Sequence, residues 1–326
     1  MIRRKRDGIV PWKGRIENME ENNIVPTNIP YTSSILQQNV ERLKERYNFL
    51  ITGNIGYSVL GKPIRFIRIG NGPNEVMYSG SIHANEWINS IVLMKFVEDC
   101  AKAYEQNGFI YGYSAREIFR QTSIYIVPMV NPDGVDLLTG AIPENTGRYH
   151  QFKDISLQFP GIPFPDGWKA NFNGVDLNLQ FPAGWLDARR IKFAQGYTKP
   201  APRDFVGFGP LTEPEALALY NFTLIHNFRL ILAYHTQGEV IYWKFADFEP
   251  EGSREIGERF AEASGYLLDL TPPESAFAGY KDWFIQDYNR PGYTIETGLG
   301  TNPLPISQFA QIYNENIGIL TLGAIL

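Results

Sequence analysis

Three features of this 326-residue sequence predict an α/β fold: a single domain with a mixed, mostly parallel central sheet and helices on both faces. Short apolar runs alternate along the chain with segments of helical period. Several of those runs are continuous in the manner of strands covered on both sides. The composition, 44% hydrophobic and 20% charged, is enough to fill one substantial core. The domain is expected over residues 31–326, where no repeat or low-complexity tract interrupts the texture. Residues 1–30, polar and broken by Pro11, Pro26 and Pro30, read as a leader or linker remnant.

The elements follow in order. "SSILQQNVERLKERY" places Ile35, Leu36, Val40, Leu43 and Tyr47 on one helical face, with Ser33 or Ser34 as cap. "PIRFIRIG" and "EVMYSGSI" read as strands. "EWINSIVLMKFVEDCAKAY" is a long apolar helix whose Trp87, Ile91, Met94 and Val97 belong to the core. "TSIYIVPMVNPDG" is a buried strand ending in an Asp-Gly turn, so Asn131 to Gly134 are expected to be structural. Residues 138–172 have no period and read as a long ordered loop. "GPLTEPEALALYNFTLIHNF" is a helix with a capping box, Thr212 bonding the Glu215 amide while Glu215 reaches back. "RLILAYH" and "GYTIETG" are further buried strands. Helices are expected at residues 253–264, near 281–288, and from 307 onward.

Thirty basic and thirty-five acidic residues give a net charge of −5 with no concentrated basic face, which argues against nucleic acid as a partner. Cys100 is the only cysteine, so an internal disulfide and a cysteine-based metal site are excluded. The basic N-terminus "MIRRKRDGIVPWKG" reads as a solvated tail. No apolar h-region follows it and no stretch is long enough for membrane insertion. The expectation is a cytoplasmic protein, with export by another route left open.

Candidate chemistry begins at "SGSIHANEWINS". His83 and Glu86 could grip one metal ion, but with four histidines a stray H-x-x-E arises in roughly one such chain in four. The pair needs company. His235 ends "RLILAYH" and Glu296 ends "YTIE", so the suspicious residues lie at the C-terminal ends of strands, where α/β proteins place sites. Two imidazoles and a carboxylate make a three-ligand zinc site with a fourth position for water. A further carboxylate can take the proton from that water as it attacks a carbonyl.

With "HANEW", "GVDLN", His235 and "DWFIQDYNRPGYTIETG" in this order, the chain resembles the zinc metallocarboxypeptidase family from about Thr32 to the C-terminus. The resemblance implies one Zn2+ ion held by His83, Glu86 and His235, with Glu296 as general base. It also implies that Asp176 accepts a hydrogen bond from His83 and orients the ring.

The departures narrow the reading. Where the family has an Asn-Arg pair that grips the substrate's C-terminal carboxylate, this chain has Asn178-Leu179, and leucine cannot hold a carboxylate. Asn178 is either a substrate-amide ligand or a structural residue. Lys169 in "GWKAN" stands where the family has an oxyanion-stabilising arginine, keeping the charge and losing the fork. Tyr280 is a stand-in for the family's mobile active-site tyrosine, at too short a distance from Asp282-Trp283.

"HTQGEVIYW", "GWKANFNGVDLN" and "ETGLGTNPLP" resemble one branch more closely, the bacterial γ-D-glutamyl-L-diamino acid endopeptidases. These cut cell-wall peptides between D-Glu and a diamino acid, usually meso-diaminopimelate. "IVPTNIPYT" resembles the segment joining N-terminal peptidoglycan-binding LysM modules to that catalytic domain, and no such module is expected within these residues. The implied partner is a murein peptide. Arg148, Arg189, Arg190, Arg203 and Arg290 stay open as the cation that reads its carboxylates. The rival readings are a conventional carboxypeptidase with an arginine from elsewhere, and an inactive wall-peptide-binding module.

Overall fold

A computed structural model describes residues 23–326. The basic N-terminal tail lies outside the described residues. Ten strands and ten helices follow one another in the order α1 (Ser33–Arg46), β1 (Ile51–Tyr57), β2 (Pro63–Ile69), β3 (Asn74–Gly80), α2 (Ile88–Glu105), β4 (Phe109–Ile110), β5 (Tyr113–Ser114), α3 (Ala115–Gln121), β6 (Thr122–Val127), α4 (Pro132–Leu138), α5 (Gly147–Ser156), α6 (Trp185–Ala194), α7 (Pro214–Leu224), β7 (Phe228–His235), β8 (Val240–Tyr242), α8 (Ser253–Ser264), β9 (Leu267–Asp269), α9 (Tyr280–Tyr288), β10 (Gly292–Glu296) and α10 (Phe309–Ile325). Among the described residues, no helix is long and apolar enough to cross a membrane.

Eight strands form one sheet in the order β1-β2-β6-β3-β7-β10-β8-β9. The central four are parallel to one another, while β1, β2 and β8 pair antiparallel. The predicted α/β architecture, mixed and mostly parallel, is the observed one. Each central strand feeds two cores, because successive side chains leave opposite faces. Val76 and Tyr78 of β3, with Leu230, Leu232 and Tyr234 of β7, pack under α1, α2 and α10. Met77, Ile231 and Ala233 face the other way, toward Leu219, Phe222, Trp283 and Phe284 of α7 and α9. Burial on both faces is why these strands read as unbroken apolar runs.

Several expectations change. The cap of α1 is Thr32, whose hydroxyl accepts from the Ile35 amide, and neither Ser33 nor Ser34 has that part. Ser33 is held by Asp136 instead, through its amide at 2.7 Å and its hydroxyl at 2.6 Å. The Asp-Gly pair after β6 opens α4, with Asn131 as cap accepting from the Gly134 amide. Residues 138–172 are not all loop, since α5 lies inside them and buries Phe152 against Trp168. Val25, within the segment read as leader, is buried in the main core.

The capping box at α7 does not form. The cap position is Glu213, the Thr212 hydroxyl turns to Gln180, and the buried Glu215 carboxylate accepts from the Val59 amide and the Asn171 side chain. Burial pushes the Glu215 carboxyl up to about 7 against the pull of those two donors. The folded chain therefore holds this proton at pH values where the unfolded chain has lost it. Its contribution to stability is present below the ordinary value of 4.5, declines as pH rises toward about 7, and is gone above. Denaturant unfolding of wild type and Glu215→Gln at pH 5, 6, 7 and 8 is expected to show the variant gaining on wild type between pH 5 and 7, with the difference flat above.

Candidate metal centre

The sheet brings the candidate residues to one end. In the parallel pair of β7 and β10, Glu296 is the register partner of His235, and the Thr297 amide donates to the His235 carbonyl at 2.9 Å. Strand β3 stops at Gly80, two residues before the predicted Ile82. Ser81 then takes a left-handed conformation with φ of 50° and swings the chain out of the sheet. Its hydroxyl is buried against that of Ser90 at 2.7 Å. His83 follows in extended geometry, and residues 84–86 form one 3-10 turn that points Glu86 back toward the histidine.

The loops behind His83 are stitched together. The Ala84 amide donates to the Lys169 carbonyl at 3.0 Å, and the Asn131 side chain donates to the carbonyls of Ala170 at 2.9 Å and Ile82 at 3.3 Å. Gly134 allows this approach, since a Cβ there would stand 2.6 Å from the Ala84 Cβ and 2.8 Å from the Ala170 carbonyl oxygen.

Three ligand-type side chains converge, their donor atoms all within 4.8 Å of one another. Nδ1 of His83 lies 3.0 Å from Glu86 Oε1, Nδ1 of His235 lies 3.0 Å from Glu86 Oε2, and the two Nδ1 atoms are 3.2 Å apart. Tetrahedral coordination with bonds of about 2.0–2.1 Å separates ligand atoms by about 3.3 Å, so the cluster fits a single ion. Asp176 Oδ1 sits 3.0 Å from His83 Nε2. That contact suits an Nε2–H donating to Asp176, which with an ion bound would leave the Nδ1 lone pair for the ion.

The electrostatics are those of a site built around positive charge. Burial works against a charged His83 ring, but Glu86 and Asp176 overcome it and raise the ring to about 9. Burial likewise opposes ionisation of Glu86, and Lys169, His83 and His235 outweigh it, holding that carboxyl well below the usual range. Asp176 is also held low against its burial, chiefly by His83. Lys169 bonds Glu86 Oε1 through Nζ at 2.9 Å, and Glu86 and Glu296 raise its ammonium against the effect of burial. Burial raises the carboxyl of Glu296, with Glu86 adding to the effect and the neighbouring cations opposing it. His83, Glu86, His235, Asp176, Lys169 and Glu296 thus form one group.

Tyr280 does not join them, and its reading as a substrate contact is corrected. It is buried in the core between Phe181 and Trp283, with its hydroxyl on Thr223 at 2.9 Å. Asn178 has a structural task, its Oδ1 accepting from the Tyr280 amide at 3.1 Å at the start of α9. Leu179 packs with Ala188, Val206 and Ala278, so no cation occupies that place. Sequence reading missed Asp204, whose amide donates to Asp176 Oδ2 at 3.1 Å. Nothing in the Arg-Asp dipeptide signals a contact across 28 residues.

Asp176→Asn keeps the shape of the side chain but can no longer hold the His83 proton as a carboxylate does. Affinity for a divalent transition metal is expected to fall roughly 10- to 100-fold, read by competition against a chromophoric chelator, with the far-UV circular dichroism unchanged.

Comparisons with known proteins agree with this geometry. The zinc carboxypeptidase profile matches residues 36–318. Gamma-D-glutamyl-L-diamino acid endopeptidase 1 of Lysinibacillus sphaericus is 45% identical over 295 residues, 90% of this chain and 72% of that protein. The uncharacterised protein YqgT of Bacillus subtilis (strain 168) is 39% identical over 89% of this chain and 76% of its own length. The crystal structure of thrombin activatable fibrinolysis inhibitor shares the fold, with a TM-score of 0.70 at 18% identity over 94% of this chain and 77% of that one. A match across most of the chain, with the histidine–glutamate cluster at the ends of the expected strands, makes this protein a member of the zinc carboxypeptidase family.

Proposed function

We propose that this chain is a monozinc peptidase that hydrolyses the γ-D-glutamyl–diamino acid bond of murein peptides. The observation that carries the reading is the cluster of His83, Glu86 and His235 with an intact Glu296 beside it. A binding module that had given up catalysis would have no use for that fourth residue. The bond is proposed from the relative that is 45% identical and named for it. It accords with Leu179, which lies in an apolar cluster where an ordinary carboxypeptidase would need a cation.

His83, Glu86 and His235 would hold the zinc ion. When bound, zinc supplies a Lewis acid that polarises an amide carbonyl and acidifies water. Asp176 keeps the His83 proton on Nε2 throughout. Glu296, whose carboxyl is made more basic by burial, accepts a proton from the attacking water as its oxygen bonds to the carbonyl carbon. The carbon–nitrogen bond then breaks and Glu296 returns the proton to the leaving amine. Lys169 brings a positive charge toward the carbonyl oxygen as that oxygen gains negative charge.

Mass analysis of products from L-Ala-γ-D-Glu-meso-diaminopimelate is expected to show L-Ala-D-Glu and free diaminopimelate. A peptide with a free C-terminal phenylalanine should stay intact; the opposite preference would point to a conventional carboxypeptidase. Glu296→Gln is expected to keep one zinc per chain, measured by metal analysis, while turnover drops roughly 100- to 10,000-fold. Retained hydrolysis would remove Glu296 from its assigned task.

A further inference from the structure

The murein substrate carries carboxylates, and Leu179 cannot bind one. Of the five arginines left open by the sequence, one lies at the far end of the sheet and three are exposed on helices. Arg290 donates through Nη1 to the Phe228 carbonyl, at the opposite end of β7 from His235. Arg190 is exposed on α6 with Asp187, Arg189 lies 4.5 Å over the Phe193 ring, and Arg148 is exposed on α5.

Arg203 is built into the wall of the candidate centre. The carbonyl of Pro202 before it accepts from the amides of both Lys169 and Ala170, at 2.8 and 2.9 Å. The amide of Asp204 after it donates to Asp176 Oδ2, and the Asp176 amide donates to Phe205 at 2.8 Å. Arg203 is thereby bracketed between the segments that carry Lys169 and Asp176. Asp204 sits in the left-handed region, with φ of 65°, which aspartate adopts more readily than most non-glycine residues. Its carboxylate takes Arg203 Nε at 2.7 Å on one oxygen and Lys192 Nζ at 2.6 Å on the other. Two cations thus share one acid and leave a positive charge over. Nη1 and Nη2 of Arg203 make no hydrogen bond among the described residues, and the side chain is 39% exposed. A guanidinium pinned at Nε, with two free nitrogens in a plane, is a ready partner for a carboxylate.

We propose that Arg203 is the specificity-determining cation of this enzyme, binding through Nη1 and Nη2 a substrate carboxylate that flanks the scissile amide. This rests on the murein-peptide reading above. A γ-linked glutamyl residue keeps its α-carboxylate free on the acyl side, and the diamino acid brings carboxylates on the amine side. Either source offers the same chemistry.

The test uses Arg203→Met and Arg203→Lys with three peptides: L-Ala-γ-D-Glu-meso-diaminopimelate, the same peptide amidated at the D-Glu α-carboxylate, and the same peptide amidated at the diaminopimelate carboxylate next to the scissile nitrogen. For the free-acid peptide, Arg203→Met is expected to lower kcat/KM roughly 10- to 150-fold, mainly through KM, which is the loss of one charged hydrogen-bonding partner. On one amidated peptide wild type and variant should be equal, and that peptide identifies the carboxylate. Arg203→Lys keeps the charge opposite Asp204 and guards against a folding defect. It should show part of the loss on the two peptides that keep the recognised carboxylate and none on the peptide that lacks it. Calorimetry of the zinc-stripped proteins with the free-acid peptide should show Arg203→Met binding weaker by a similar factor. Equal losses on all three peptides, or none, would overturn the proposal. Should wild type cleave only a C-terminal phenylalanine peptide, the murein reading fails. Arg203 is then judged on that peptide against its C-terminal amide, and unchanged discrimination by Arg203→Met would overturn it.

Discussion

Glu86 and Asp176 are almost wholly buried at one end of a parallel sheet, with Glu296 beside them. Each unpaired buried charge would cost several kcal/mol, so the surroundings are arranged to meet that demand. Lys169 lies on Glu86, and both histidine rings turn a nitrogen toward the same carboxylate. Asp176 is satisfied by a ring nitrogen and by the amides of Asn178 and Asp204. The two ring nitrogens, 3.2 Å apart, can share a proton or hold an ion between them. The loop contacts and the register of β7 with β10 all serve to keep these groups together.

The scaffold meets that requirement from both sides. Parallel pairing sets Glu296 level with His235, and Thr297 ties the two strand ends, its hydroxyl also reaching Asn89 at 2.9 Å at the start of α2. On the far wall, Asn131 bonds three loop carbonyls while capping α4. Secondary structure positions one half of the site. The other half is positioned by side-chain and backbone bonds between loops.

That division explains what could be read in advance. Strands β6, β7 and β10 were legible because burial on both faces leaves an unbroken apolar signature, and His235 and Glu296 sit where those signatures stop. Helix α5 was not, because "GRYHQFKDIS" buries little beyond Phe152 and Ser156 and so has no apolar stripe. Strand β1 has two glycines and an exposed edge, which leaves no period to detect. The Thr212–Glu215 pattern met the local rule for a cap but lost to tertiary partners, Gln180 and the Val59 amide. Tyr280 was misjudged for a related reason, since proximity in sequence to Asp282 says nothing about which side of the helix faces the core. Asp204 acts through a contact with a residue 28 positions away, and no spacing rule reaches that far.

His83, Glu86, Asp176, His235 and Glu296 are drawn from segments that span most of the chain, and the sheet alone brings them together. No contiguous fragment carries the whole set, and no locally unfolded form that frees β7 or β10 keeps it. Binding of an ion by this set would therefore be linked to global folding in this architecture. An ion held there would add to the free energy that keeps the sheet closed, in proportion to the logarithm of its concentration above its Kd.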